Sequence, residues 1–185
     1  MDKRTREAIR YLGYGREKAD DRIQSIIQEI FRELEQFAEP KHILRRFELS
    51  FLGEGKLQIG NLEICSKALY KNLMGCEEDA LFGATLGVNV DRQIQRYEVS
   101  DIAKAVILQA CAAAYLEEYC DRIQEEIEGE TRPRFSPGYG DFLLEHQDDV
   151  LGMLDAPKRI GLTRTEGYML IPTKSVTAVI GIKRS

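Results

Sequence analysis

Residues 100–128 limit the possible folds of this chain more than any other stretch. They open at Ser100-Asp101, a natural N-cap, and carry Ile102, Val106, Ala110, Ala113, Leu116, Cys120, Ile123 and Ile127 at the spacing of one helix face. The middle of the stretch, AVILQACAAAY, is small on nearly every side. Small side chains let neighbouring backbones approach from all directions, so the spacing predicts a long, central, buried helix that runs to about Glu128. Its last turns, EEIEGE, are polar and should leave the core.

The elements around it are short and mixed. Residues 5–12 predict a short helix ending at Gly13 and Gly15, both suited to left-handed caps. From Asp20 or Asp21 a second helix carries Ile23, Ile26, Ile27, Ile30, Phe31, Leu34 and Phe37 on one stripe, and Pro40 stops it. HILRRFELSF (42–51), a GEG turn (53–55) and KLQIG (56–60) predict a hairpin. The run Gly53-Glu54-Gly55-Lys56 lacks the length and the following helix of a phosphate loop and reads as a turn.

SKALYKNL (66–73) predicts a helix capped by Ser66, and DALFGATLGV (79–88) a buried strand in which Gly83 and Gly87 permit bulges or close approach. LLEHQDDVLGML (143–154) predicts a helix ended by Pro157. KRIGLT, GYMLIP and SVTAVIGIK follow, the last two strand-like with a PTK turn between them. Strands and helices do not alternate strictly and hairpins stand at both ends. The expected class is therefore α+β, a single compact domain over 1–185 with a largely antiparallel twisted sheet, the long central helix and flanking helices. Within it, 1–40 is the N-terminal helical region.

A length of 185 residues suits one good-sized core. Hydrophobic residues make up 43% and charged residues 31%, and no apolar run reaches the ~18 residues of a membrane span. MDKRTREAIRYLGYG lacks the apolar core of a secretory signal, so a cytoplasmic location is expected. A net charge of -5 and a pI near 5.3 argue against nucleic acid as partner. Cys65, Cys76, Cys111 and Cys120 show no CxxC spacing and are expected as reduced, buried thiols.

RPRFSPGYGD (132–141) carries more chemistry than a connection requires. Pro133 and Pro137 stiffen the chain, while Gly138 and Gly140 let it turn and bare its N–H groups. Arg134 offers a planar fork for a carboxylate or phosphate and Tyr139 an aromatic face; Glu126, Glu128, Glu130 and Asp141 flank them. These groups suit a zwitterion with a flat ring, as S-adenosylmethionine (SAM) is. They also suit a rigid turn in which Arg134 caps helix carbonyls and Tyr139 packs on the core.

Arg134-Phe135-Ser136-Pro137-Gly138-Tyr139 resembles the RxxxGY SAM-binding motif of the activation (reactivation) domain of cobalamin-dependent methionine synthase. The resemblance continues in the IGL-T-E segment (160–166) and the ML-IP-x-x-SV element (169–176), so that 132–185 forms a SAM-motif and C-terminal strand region. The Ala-rich helix and the RYLGYG segment (10–15) look like stand-alone bacterial versions of that domain.

The resemblance implies a methyltransferase component of methionine biosynthesis. Its partner would be a separate corrinoid-binding methionine synthase or related methyltransferase whose cobalamin (vitamin B12) has been oxidised to cob(II)alamin. The domain would present SAM for remethylation as an electron arrives from a flavodoxin-type donor. It also implies roles: Arg134 for the methionyl carboxylate, the backbone around Ser136 and Gly138 for adenosine, Tyr139 beside ligand and corrin, and Glu128 for the ammonium. The family's C-terminal tyrosine contact would be missing or replaced. The DxHxxG motif that supplies a cobalt-ligating histidine is absent, and neither His42 nor His146 fits it, so the corrinoid would come in trans. No catalytic triad, metal cluster or carboxylate pair stands out, as a device that only positions a methyl donor allows. A SAM- or corrinoid-binding sensor or chaperone without remethylation is the alternative, with a structural adaptor as the third possibility.

Overall fold

The structure, a computed structural model, describes residues 2–13 and 21–184. Gly15 and Asp20, expected as a cap and a helix start, lie outside the described residues, as does the end of the RYLGYG segment. The class is α+β, with helices and a mostly antiparallel six-stranded sheet. The chain gathers into two compact units, one of Met1–Lys41, Thr85–Ile123 and Pro172–Lys174, the other of His42–Ala84, Gln124–Ile171 and Ser175–Ser185.

The first unit is helical. Helix α1 (Lys3–Tyr11) starts at Asp2, whose carboxylate accepts the Thr5 N–H at 2.7 Å, and is followed by Gly13 at φ 77°. Helix α2 (Asp21–Phe37) buries Ile27, Ile30, Phe31 and Leu34, the middle of the expected stripe; Ile23, Ile26 and Phe37 are half-buried. Arg4 ties α1 to α2, with its guanidinium 2.9 Å from Glu35 and 4.5 Å above the Phe31 ring.

Two helices follow, α4 (Val88–Ser100) and α5 (Ile102–Glu125). The first stands where the sequence reading has no helix. The strand expected over 79–88 stops at Thr85, and Gly87, at φ 86°, becomes the residue from which α4 starts. Only Val90 and Ile94 of α4 are buried, a stripe too thin for periodicity to register. Lys104 of α5 meets Glu33 of α2 at 2.7 Å, and the Tyr97 hydroxyl of α4 donates to the same carboxylate at 2.7 Å.

Asp101 caps α5 as expected, accepting the Lys104 N–H at 3.0 Å, but the helix ends at Glu125 and leaves Glu128 outside it. Ala110, Cys111, Ala112 and Ala114 are all buried, which accounts for small residues on every side there. At its start the expected face is wrong: Ile102 and Val106 are 65% and 52% exposed, while Ala105 and Leu108 are buried. Members spaced strictly four apart drift around a 3.6-residue helix, and the inward row is the mixed three-and-four row through 105, 108 and 112. Burial pushes the Cys111 thiol up to about 12.

The second unit holds the sheet, in the order β3 (Leu62–Cys65), β2 (Lys56–Ile59), β1 (Lys41–Gly53), β4 (Glu78–Thr85), β8 (Ser175–Lys183), β5 (Glu130–Thr131). Strands β1 (Lys41–Gly53) and β2 (Lys56–Ile59) form the expected hairpin, with Leu49 opposite Ile59 and Phe51 opposite Leu57. Gly55 turns the chain at φ 77°. Strand β3 (Leu62–Cys65) adds an edge that the sequence reading lacks, and it leaves Cys65 exposed rather than buried. Strands β4 (Glu78–Thr85), β5 (Glu130–Thr131) and β8 (Ser175–Lys183) complete the sheet, β5 and β8 being antiparallel.

Helix α3 (Lys67–Leu73) begins at Ser66, as expected, with the Ser66 hydroxyl accepting the Leu69 N–H at 3.0 Å. Leu57, Leu69, Leu81, Phe142, Leu154 and Val179 are fully buried in one core cluster. Helix α6 (His146–Leu154) starts three residues later than 143–154 predicts. Pro157 does not end it. Asp155, at φ 52°, does, and Pro157 sits in the first turn of α7 (Ala156–Ile160), where a missing N–H costs nothing. GYMLIP and SVTAVIGIK also part company: β7 (Leu170–Ile171) pairs with β6 (Thr163–Arg164) in a separate ribbon, while the second segment is β8.

Gly181 marks a point of tight packing in this unit. A Cβ there would lie 2.7 Å from Cys76 Sγ and 2.8 Å from Leu73 Cδ2. Gly181→Ala should therefore destabilise the protein by about 1–3 kcal/mol in urea unfolding, the usual penalty of overpacking a dense core.

Candidate functional site

The arginine-rich decapeptide is an ordered loop fixed at both ends. At its start, Phe135 exchanges both backbone hydrogen bonds with Val179 of β8, at 2.9 and 2.8 Å. The Arg132 N–H donates to the Gly181 carbonyl at 2.8 Å. Pro137 is buried, and Phe142, one residue past the decapeptide, is wholly buried in the core. The Phe135 ring touches both aromatics, edge-on to Tyr139 at 6.0 Å and tilted against Phe142 at 6.4 Å.

Between these anchors the backbone folds on itself. Gly138 N–H donates to the Phe142 carbonyl at 2.7 Å, Tyr139 N–H to Ser136 at 3.1 Å and Phe142 N–H to Tyr139 at 2.9 Å. Gly138 and Gly140 supply the required positive φ, 92° and 55°. The expectation of bared amides is thus corrected at Gly138 and Tyr139, whose N–H groups are spent closing the turn.

Arg134 is half-buried and one of its terminal nitrogens donates to Gln124 Oε1 at 2.9 Å. The Gln124 amide is itself held, its Nε2 donating to the Thr131 hydroxyl and the Arg132 carbonyl, each at 3.0 Å. This fixes which way the amide faces and so the side from which Arg134 is met. Tyr139 is 58% exposed, so it is not the core residue that a plain turn would make of it. Ser136 is half-buried and Gly138 exposed on the same loop.

The four acids part ways. Asp141 is no ligand for an ammonium: it accepts from the Ser66 hydroxyl at 2.5 Å and from the Lys67 and Ala68 N–H groups at 2.8 and 3.0 Å. The hydrogen bond from Ser66, then those from the backbone, hold its carboxyl below the usual range. Glu130 lies 3.6 Å from Lys183. Glu126 and Glu128 are exposed, and the Glu128 carbonyl accepts from Arg46 at 3.0 Å. Gly129, at φ 106°, leaves no room for a side chain, since a Cβ would fall 2.7 Å from the Lys183 carbonyl. The backbone beside Glu128 is therefore closely defined.

His146, which fits no cobalt-binding motif, is engaged structurally, with Nδ1 2.8 Å from Asp149 and its ring stacked on Phe142 at 5.3 Å. Gln124 and Asp141 are the supports that sequence reasoning missed in the loop. The spacing of Ser66 before α3 was a visible cap signal, but its carboxylate partner lies 75 residues away.

No known family's sequence profile matches the chain, and no curated protein matches it. Among the described residues no helix is long and apolar enough to cross a membrane. Solved structures do resemble it: the chain is similar to a crystal structure of the MetH reactivation domain bound to AdoHcy, with a TM-score of 0.66 and 14% identity over 98% of this chain and 76% of that one. At that identity the likeness is one of fold alone.

Proposed function

We propose that this chain binds SAM at the Arg134–Tyr139 loop and presents it to the cobalt of a corrinoid carried by a separate methyltransferase, supporting reductive remethylation of cob(II)alamin. The observation that carries this reading is the joint presence of two independent features. One is a fold shared over nearly the whole chain with a domain seen with AdoHcy, which is SAM without its methyl group. The other is an RxxxGY sequence on a braced loop with an oriented arginine and an exposed tyrosine.

The residues suit the ligand by charge. Arg134 takes the methionyl carboxylate, and the Glu128 carboxylate takes the ammonium. With the Gly138 and Tyr139 amides already used, adenosine is met by the carbonyls around Ser136 and Gly138 and by the Tyr139 ring, which also faces the corrin. SAM supplies an activated sulfonium methyl group. The protein's part is to hold that methyl in line with a nucleophile that needs no base, a contribution from proximity and orientation.

The test supplies a cob(II)alamin-loaded methionine synthase, SAM and a flavodoxin-type or chemical reductant, and follows the visible spectrum. Methylcobalamin should accumulate only when this chain is added. No acceleration with a competent partner would contradict remethylation and leave SAM sensing as the role.

A further inference from the structure

Asp141 follows the motif by two residues, and its carboxylate is taken up by hydrogen bonds within the protein rather than offered to a ligand. Its two oxygens take three donors, the Ser66 hydroxyl and the Lys67 and Ala68 N–H groups, all at the start of α3. Those amides belong to the first turn of a helix and have no partner within it, so the carboxylate satisfies donors that would otherwise lie open. The neighbouring Gly140 is pressed on the same turn: a Cβ there would lie 2.9 Å from Ala68 Cβ, and its φ of 55° is one that side chains rarely adopt. The loop is thus seated on α3 by charge at one residue and by close approach at the next. The opposite end is held at Val179 by the Phe135 bridge. Gly138 and Tyr139 lie between the two attachments.

We infer that Asp141 is the positioning residue of the ligand loop, locking Gly138 and Tyr139 in the binding-ready turn by anchoring them to the first turn of α3. This rests on the SAM reading of the loop. Its consequence is reciprocal: if the α3 contact favours the binding-ready turn, ligand on the turn must favour the α3 contact by the same factor. Occupancy of the loop is then felt at Lys67 and Ala68, which no ligand need touch.

The experiment compares wild type, Asp141→Asn and Gly140→Ala by SAM calorimetry, thermal melting and amide hydrogen exchange with and without SAM. Asn keeps one acceptor oxygen but replaces the other with a donor that faces an N–H; the alanine instead pushes the loop off α3 and leaves Asp141 intact. Both variants should bind SAM about tenfold more weakly, as loss of a charge-assisted contact predicts. Both should exchange faster at Gly138, Tyr139 and Phe142 without ligand. In wild type alone, SAM should slow exchange at Lys67 and Ala68, a response that a purely structural cap would not give. SAM binding to the Asp141→Asn protein as tightly as to wild type, or unchanged loop exchange in it, would overturn the proposal. Absence of SAM binding by wild type would instead sink the SAM reading, and the ligand-free exchange of Gly138, Tyr139 and Phe142 would still decide whether Asp141 braces the loop.

Discussion

Replacing Asp79 by Asn should make the protein more stable at pH 8, by on the order of 3 kcal/mol, and leave it nearly unchanged at pH 4.5. Asp79 lies in β4 with no exposed surface, and among the described residues neither of its carboxyl oxygens has a hydrogen-bond partner. Burial pushes its pKa from 3.8 up to about 8, and the adjacent Glu78 charge adds to the effect. An acid raised in this way favours folding only while protonated. Its contribution is complete below pH ~4, where the unfolded chain is also protonated, and is lost progressively as pH rises to about 8.

The opposite trend comes from acids held low in the folded state. Asp148, through its hydrogen bonds from Arg164, and Asp141, through Ser66, contribute stability that disappears as pH falls through the acid range. The two trends occupy separate windows, so urea unfolding at pH 5, 7 and 8.5 isolates Asp79. The wild-type protein should lose stability across that range and Asp79→Asn should not. Equal slopes for the two would refute a neutral, unpartnered carboxyl at this position.

Arg134→Ala should weaken SAM binding about thirty- to a hundredfold while leaving the protein folded. The side chain is half-buried and makes a neutral-partner hydrogen bond to Gln124, a contact of modest net worth to folding. Its proposed bond to a carboxylate is charge-assisted and planar. Arg134→Lys should therefore recover little of the affinity, because an ammonium cannot present two parallel donors or meet Gln124 in the same plane. Calorimetry on both variants, with melting curves as control, checks this. Unaltered affinity in Arg134→Ala would remove the residue from the site.

Much of the secondary structure was legible because it is written locally. The α2 stripe, the Gly55 hairpin, the Ser66 cap and the Asp101 cap each depend on residues within one or two turns of one another. Errors arose where a tertiary partner decides. Ile102 and Val106 are as apolar as any core residue, and only the packing of α5 shows that Ala105 and Leu108 face inward instead. Pro157 reads as a terminator by itself, but the left-handed Asp155 before it turns it into a beginning.

The same division runs through the loop. That residues 132–141 are special could be read from their composition, and the RxxxGY register from their order. That Asp141 serves α3, that Gln124 orients Arg134, and that the Gly138 amide is already taken depend on residues brought near by the fold.

The central claim is that this chain holds SAM at the Arg134–Tyr139 loop. Calorimetric titration of the wild-type protein with SAM, repeated with AdoHcy, tests it most directly. The account predicts saturable heat with a stoichiometry of one for each ligand, greatly reduced in Arg134→Ala; no measurable heat from wild type with either ligand would contradict it.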